Sequence, residues 1–242
     1  MLVACGGSNT ASNVTPPGEE KSVKTQTLEM GTALLQNKAP LDAINVYMDG
    51  FHFHNGDMNR QMEAHHYCTV VNEDLTQCTI YEGNGKNARL MGVEYIVSEK
   101  IFKTLPAEEK KLWHSHIFEV KSGQLIAPGV PDVAEHEFME KLASTYGKTW
   151  HTEQPNMNLP LGHPALMMGF TEEGQIKPTL VQDRDKRFNI STEDKKQNRV
   201  DIPKPQIQAG ADAWQKGQMV QLRLTSVSNK NDTNEQTSSS SQ

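Results

Sequence analysis

Ala64–Glu82 reads AHHYCTVVNEDLTQCTIYE, and the fold class turns on this stretch. Two short runs rich in β-branched and aromatic residues, Ala64–Val71 and Leu75–Glu82, flank Asn72-Glu73-Asp74, the pattern of a β-hairpin. With Val71 facing Leu75, counting outward sets Cys68 opposite Cys78, within reach of a disulfide at a non-hydrogen-bonded position. Such a bridge is expected if the chain is exported; in a reducing compartment the thiols stay free, and Cys68, sharing a strand face with His66, is then open to metal ligation. Further on, Arg89–Ser98 (RLMGVEYIVS) is almost continuously apolar, as a central buried strand should be. Leu112–Val120 and Pro164–Phe170 are further strand candidates. Helices are expected over Thr27–Asn37, from Pro106, from Asp132 with Glu135 up to Gly147, and from Ser191 with Asp194 through Arg199. Strands joined by short turns, with helices beside them, predict an α+β fold: a single domain with a mainly antiparallel sheet and flanking helices.

Composition sets the limits. The chain has 242 residues, is 36% apolar and carries a formal charge of −6, with a mean hydropathy of −0.64. No apolar run approaches the roughly 18–20 residues of a membrane span. The acidic balance excludes a general nucleic-acid binder, which needs a basic stripe. Three cysteines are too few for a disulfide-built scaffold. Ser228–Gln242 contains no apolar residue and cannot bury anything. The reading is therefore a tether over 1–24, a folded unit over 25–224 and a disordered polar tail over 225–242.

Six of the nine histidines fall in pairs: His52/His54, His65/His66 and His114/His116. Residues two apart in a strand share a face, so each His-X-His pair would aim both imidazoles one way, while His65 and His66 would separate. On the strand read around Trp113, His114, His116, Phe118 and Val120 share one side; Trp113, Ser115, Ile117 and Glu119 share the other. Glu94 sits on a face with Leu90, Gly92 and Ile96, where a carboxylate needs a partner. His52, His54, His66, Glu94, His114 and His116 together make a candidate first shell for zinc, iron or manganese. The alternative is a set of hydrogen-bonded structural imidazoles. Ser115 points away from both neighbouring histidines, a poor geometry for a nucleophile, and Gly83-Asn84-Gly85-Lys86 reads as a turn.

Four blocks, Glu63–Cys68, Leu90–Glu99, Leu105–Gly123 and Leu159–Met168, together with Tyr146-Gly147-Lys148 and Asp183–Phe188, resemble the oil body-associated protein family over about 28–205. The resemblance implies a domain of unknown function whose plant members associate with a lipid interface; it supplies no catalytic residues. At the N-terminus, Leu2-Val3-Ala4-Cys5 resembles a bacterial lipobox, with Cys5 as the lipidated residue, followed by a Ser/Asn/Pro tether. Gly6 stands where an Asp would hold such a lipoprotein at the inner membrane. The expectation is thus a lipid-anchored envelope protein of the outer membrane facing the periplasm, or a cytoplasmic one if Met1 is the true start. Its role would be binding or structural, with the membrane, and a lipid surface, as its partner. The alternative is a His-rich metal-binding protein or metalloenzyme.

Overall fold

The computed structural model describes residues 16–226 except 154 and 156. Cys5 and the Ser228–Gln242 tail lie outside these described residues.

In chain order the elements begin with α1 (Val23–Leu35) and α2 (Ala39–Asp42). A four-stranded meander follows: β1 (Val46–His54), β2 (Asp57–Asn72), β3 (Leu75–Tyr81) and β4 (Leu90–Ser98). After α3 (Glu99–Thr104) and α4 (Ala107–Lys110) come the two-residue β5 (His114–Ser115), α5 (Ile117–Lys121) and α6 (Asp132–Leu142). The chain then forms β6 (Thr145–His151), β7 (Ala165–Met168), α7 (Pro178–Phe188) and α8 (Thr192–Gln197).

The meander does not stay open. β4 takes β6 as its second neighbour, β6 pairs with β7, and β7 pairs back onto β1, all antiparallel. Six strands therefore close into a barrel, and β5 extends it alongside β6. This corrects the expected α+β fold of a mainly antiparallel sheet with flanking helices: the sheet is a closed barrel. β4 is central because a strand about fifty residues further on closes over it, and no local signal carries such a pairing. Closure removes the sheet's free edges and gives the alternate residues of every strand a common interior.

At the hairpin the turn is shorter than the sequence suggests. Asn72 faces Leu75, with a register shift between Val70 and Asn72 that leaves Val71 out of the ladder. The shift restores the register beyond it: Cys68 faces Cys78 and the two are joined by a disulfide.

The barrel interior has two apolar layers. Met62, Ala64, Ile80, Met91, Ala165 and Met167 form one. Met48, Cys68, Cys78 and Ile96 form the other, closed by Leu125 and by Leu142 at the end of α6. Polar residues interrupt both: along β2, His66 falls between Ala64 and Cys68, and along β4, Glu94 falls between Gly92 and Ile96. Outside the wall, Phe51, Phe53, Leu166, Met168 and Phe170 pack under α7. The first strand and the plug are tied by a pair of 2.9 Å backbone hydrogen bonds between Asp49 and Ile126. Among the described residues no helix is long and apolar enough to cross a membrane, and α1 buries none of its side chains.

Candidate metal centre

Four barrel strands and one plug segment deliver the polar interior. β1 brings His52, β2 His66, β4 Glu94 and β6 His151; the plug segment from β5 into α5 adds His114, His116 and Glu119. All seven are buried. Glu94 is the hub. Its Oε2 lies 2.8 Å from His66 Nε2 and 3.9 Å from His52 Nε2. Its Oε1 lies 3.4 Å from His114 Nε2 and 3.3 Å from His116 Nε2. Two overlapping triads result, His52/His66/Glu94 and Glu94/His114/His116, each with donor atoms within 4.8 Å of one another. Behind them, His52 Nδ1 lies 3.3 Å from His151 Nε2.

The structure therefore gathers five of the six residues proposed from spacing and leaves His54 aside. The β1 ladder shifts register between Phe53 and His54, and the half-buried His54 ring meets Gln221 Nε2 at 3.4 Å instead. Of the adjacent pair, His66 points in and His65 out. His151 and Glu119 were missed. His151 follows Gly147 and Thr149 at a period of two along β6, a signal the sequence did carry. Glu119 was placed on the wrong side because the expected strand over Leu112–Val120 ends at Ser115. His116 turns into the helical region and caps α5, so Glu119, three residues later, comes round toward His114, Oε2 to Nε2 3.9 Å. Ser115 faces away and bonds Asp212 through its N–H (3.0 Å) and hydroxyl (2.7 Å).

Burial favours the neutral form of His52, His116 and His151, whereas at His114 burial is outweighed by Glu94, which raises it. Burial pushes His52 well below the usual imidazole range, and the neighbouring His66 adds to the shift. Burial also lowers His116 despite Glu94, and brings His151 down to about 3. Burial alone would raise Glu94, but hydrogen bonding to His114, His116 and His66 outweighs it and holds the carboxyl well below its ordinary range. Glu119, by contrast, is raised by burial to about 8. At neutral pH Glu94 is thus the carboxylate and Glu119 the neutral acid.

One contact is revealing. The Thr145 hydroxyl lies 2.7 Å from the Leu142 carbonyl and 2.8 Å from His116 Nδ1, and its single proton can serve only one of them. With the Thr145 proton on the Leu142 carbonyl, neutral His116 is protonated at Nδ1 and turns its Nε2 lone pair toward Glu94; with that proton on Nδ1, Nε2–H donates to Glu94 instead, at 3.3 Å. The first arrangement sets two acceptors face to face and is the one a bound cation favours. A hydrogen bond on the remote ring nitrogen is also how metal-bound histidines are oriented.

The barrel admits this crowding through Gly147. A Cβ there would fall 2.0 Å from Glu94 Oε1, 2.7 Å from His116 Nε2 and 2.8 Å from His114 Cε1. We expect Gly147→Ala to keep every donor yet lower metal affinity by at least ~10-fold, the scale of displaced supporting residues. Isothermal titration with Zn²⁺ reads this directly.

A second group with suitable donors, Asp49, Glu63 and His65, lies outside the barrel wall. Its acids already hold cations: Arg184 Nη1 is 3.3 Å from Asp49 and Arg187 pairs with Glu63. His65 Nδ1 lies 2.9 Å from Asp49 Oδ2. This is an ion-pair network beneath α7, not a vacant cation site.

The fold and its interior define a small closed barrel with a polyhistidine–carboxylate centre. The profile of the family described as "Protein of unknown function (DUF1264)" matches residues 38–203. The oil body-associated protein 1B of Arabidopsis thaliana is 44% identical over 224 residues, covering 91% of this chain and 93% of that protein. Oil body-associated protein 1A of Zea mays is 46% identical, covering 87% and 90%, and protein 2C of A. thaliana is 38% identical, covering 88% and 92%. The chain belongs to this family, that of the oil body-associated proteins. No solved structure matches it.

Proposed function

We propose that the barrel interior is a binding site for one divalent first-row transition-metal ion, held by His52, His66, Glu94, His114 and His116. The observation that carries this reading is the convergence of four buried imidazoles on the two oxygens of one buried carboxylate, His66 and His52 on Glu94 Oε2 at 2.8 and 3.9 Å, and His116 and His114 on Oε1 at 3.3 and 3.4 Å. Supporting it, a cavity of about 10 Å³ opens among His52, His66, Glu94 and His116, room for one ion or one water. Imidazole and carboxylate donors suit iron, manganese or zinc. Because several imidazoles are already neutral, the ion need not compete with protons for them. Such an ion would supply Lewis acidity or an activated water, with Glu94 and its neighbouring imidazoles as the residues that would hold it.

Elemental analysis of protein purified without chelators or a His tag tests the proposal. Near-stoichiometric metal, lost in His114→Ala and His116→Ala, is the expected result. A folded, metal-free protein that also fails to take up added Zn²⁺, Mn²⁺ or anaerobic Fe²⁺ refutes it.

A second reading concerns location. α1 exposes Val23, Leu28, Met30, Leu34 and Leu35, each at least 60% accessible, immediately after the tether that begins at the lipobox-like Cys5. Together with the plant relatives' names, this supports a domain held near a lipid surface by an acylated Cys5 and an apolar helix face, as expected of an envelope lipoprotein. Flotation with phosphatidylethanolamine/phosphatidylglycerol vesicles should retain the wild-type chain and lose Leu34→Asp/Leu35→Asp. Equal flotation of both would remove α1 from this reading.

A further inference from the structure

The polar centre is not sealed evenly. Its small cavity is bounded on one side by Ile96 and Leu142. The same two side chains form the inner wall of a much larger groove, about 660 Å³, at the end of the barrel between the β2–β3 turn, the end of β4 and α6. Ile96 lies two residues from Glu94 on β4, and Leu142 is the last residue of α6. The Leu142 carbonyl neighbours the Thr145 hydroxyl that contacts His116, and Thr145 also lines the groove. Ile96 and Leu142 thus each border both the groove and the centre.

The groove's chemistry is that of a small-molecule site. Val46, Val70, Leu75, Val97 and Phe138, with Ile96 and Leu142, give it an apolar wall, and the polar residues of the β2–β3 turn and of the α6–β6 connection ring the rest. Its volume falls in the usual range for organic ligands, about 300–1,000 Å³. Across its mouth, Lys141 of α6 reaches Glu73 of the β2–β3 turn at 3.6 Å, with both side chains largely exposed. An exposed pair of that kind holds a mouth weakly and yields readily.

We propose that this groove is the site for an organic substrate of the interior centre. The substrate would be a small molecule with an apolar body and a metal-seeking polar end, and Ile96 and Leu142 would be the gate through which that end reaches the ion. The inference rests on the metal reading above. The limits on the substrate follow from the two volumes: the centre admits only a terminal group, and the apolar walls receive the rest.

The test uses Co²⁺-loaded full-length protein, whose visible spectrum reports the ion's ligands, titrated with acetohydroxamate and with octanohydroxamate. Both probes carry the same metal-binding head and differ only in the apolar tail. The expected result is that octanohydroxamate perturbs the cobalt spectrum at concentrations at least tenfold lower. That preference should vanish in Leu142→Trp, which blocks the gate. It should also vanish in Val70→Asp, a change at a half-exposed wall position away from the centre, with cobalt content and the probe-free spectrum unchanged in that variant. Equal affinities for the two probes, or a tail preference that survives Val70→Asp, would overturn the inference and leave the metal centre standing. A protein that takes up no cobalt overturns both.

Discussion

Glu94→Gln should abolish tight metal binding while leaving the barrel folded. The substitution keeps the side-chain volume and removes the one carboxylate that is ionised in the interior, since burial keeps Glu119 neutral up to about pH 8. Four imidazoles then face an amide. Residues that merely support ligands already cost 10–100-fold in affinity when changed, so loss of the anionic hub should cost at least ~100-fold. The effect has a thermal counterpart. At a free metal concentration of about 100 times its dissociation constant, the wild-type protein gains ~2.7 kcal/mol. For a chain of this size that raises the melting temperature by roughly 5–10 °C. The Gln variant should show no rise under the same conditions, measured by calorimetry with and without Zn²⁺. Equal rises in the two proteins would remove Glu94 from the centre.

Arg184→Met should be the most destabilising single change outside the interior. Arg184 is wholly buried beneath α7 and spans three parts of the chain. It donates to Asp49 on β1 (3.3 Å), to the carbonyls of Gln124 (2.9 Å) and Gly123 (3.3 Å), and to Thr192 Oγ1 (2.8 Å). Its guanidinium also lies 5.0 Å from the Phe51 ring centre. Methionine fills most of the volume but leaves a buried carboxylate and two carbonyls without their donor, a loss of about 3–5 kcal/mol. The melting temperature should fall by roughly 6–20 °C. Lys196→Met, which breaks only a surface pair with Glu173, should change stability by less than ~1 kcal/mol. The arginine also pins the loop after α5, the helix that His116 caps and that carries Glu119. Metal release to a chelator should therefore be faster in Arg184→Met than in wild type.

The acid limb of stability carries the same signature. Burial would raise the Asp49 carboxyl, yet His65 and Arg184 together hold it below its ordinary value of 3.8. A depressed carboxyl stabilises the fold above that value and loses its contribution as the pH falls through the lower, folded one. Below about pH 4 the stabilities of wild type and Arg184→Met should converge in urea titrations; a gap that stays constant down to pH 2 would exclude the Asp49–Arg184 pair as its source.

What the sequence displayed was local. The β2–β3 hairpin, the opposition of Cys68 and Cys78, the β4 run and the inward aim of Glu94 all follow from alternation and a turn. Barrel closure was not legible, because the pairing of β4 with β6 joins Gly92 to His151 across almost sixty residues. Five of the six proposed donors converge, for a reason only partly visible beforehand. His52, His66 and Glu94 obey strand alternation, whereas His114 and His116 reach the same carboxylate through a strand-to-helix turn at Ser115. The turn that brings in Glu119 is the one that defeated the strand reading. His54 fails for the opposite reason: one register shift undoes an otherwise regular His-X-His.

The central claim is that an ion sits between Glu94 and the imidazoles, and anomalous diffraction from a Zn²⁺-soaked crystal tests it most directly. One strong peak at about 2.0–2.2 Å from Glu94 and from Nε2 atoms of His52, His66, His114 and His116 is the predicted result. A well-ordered interior with no peak there at saturating zinc, and with His116 donating a hydrogen bond straight to Glu94, would contradict it.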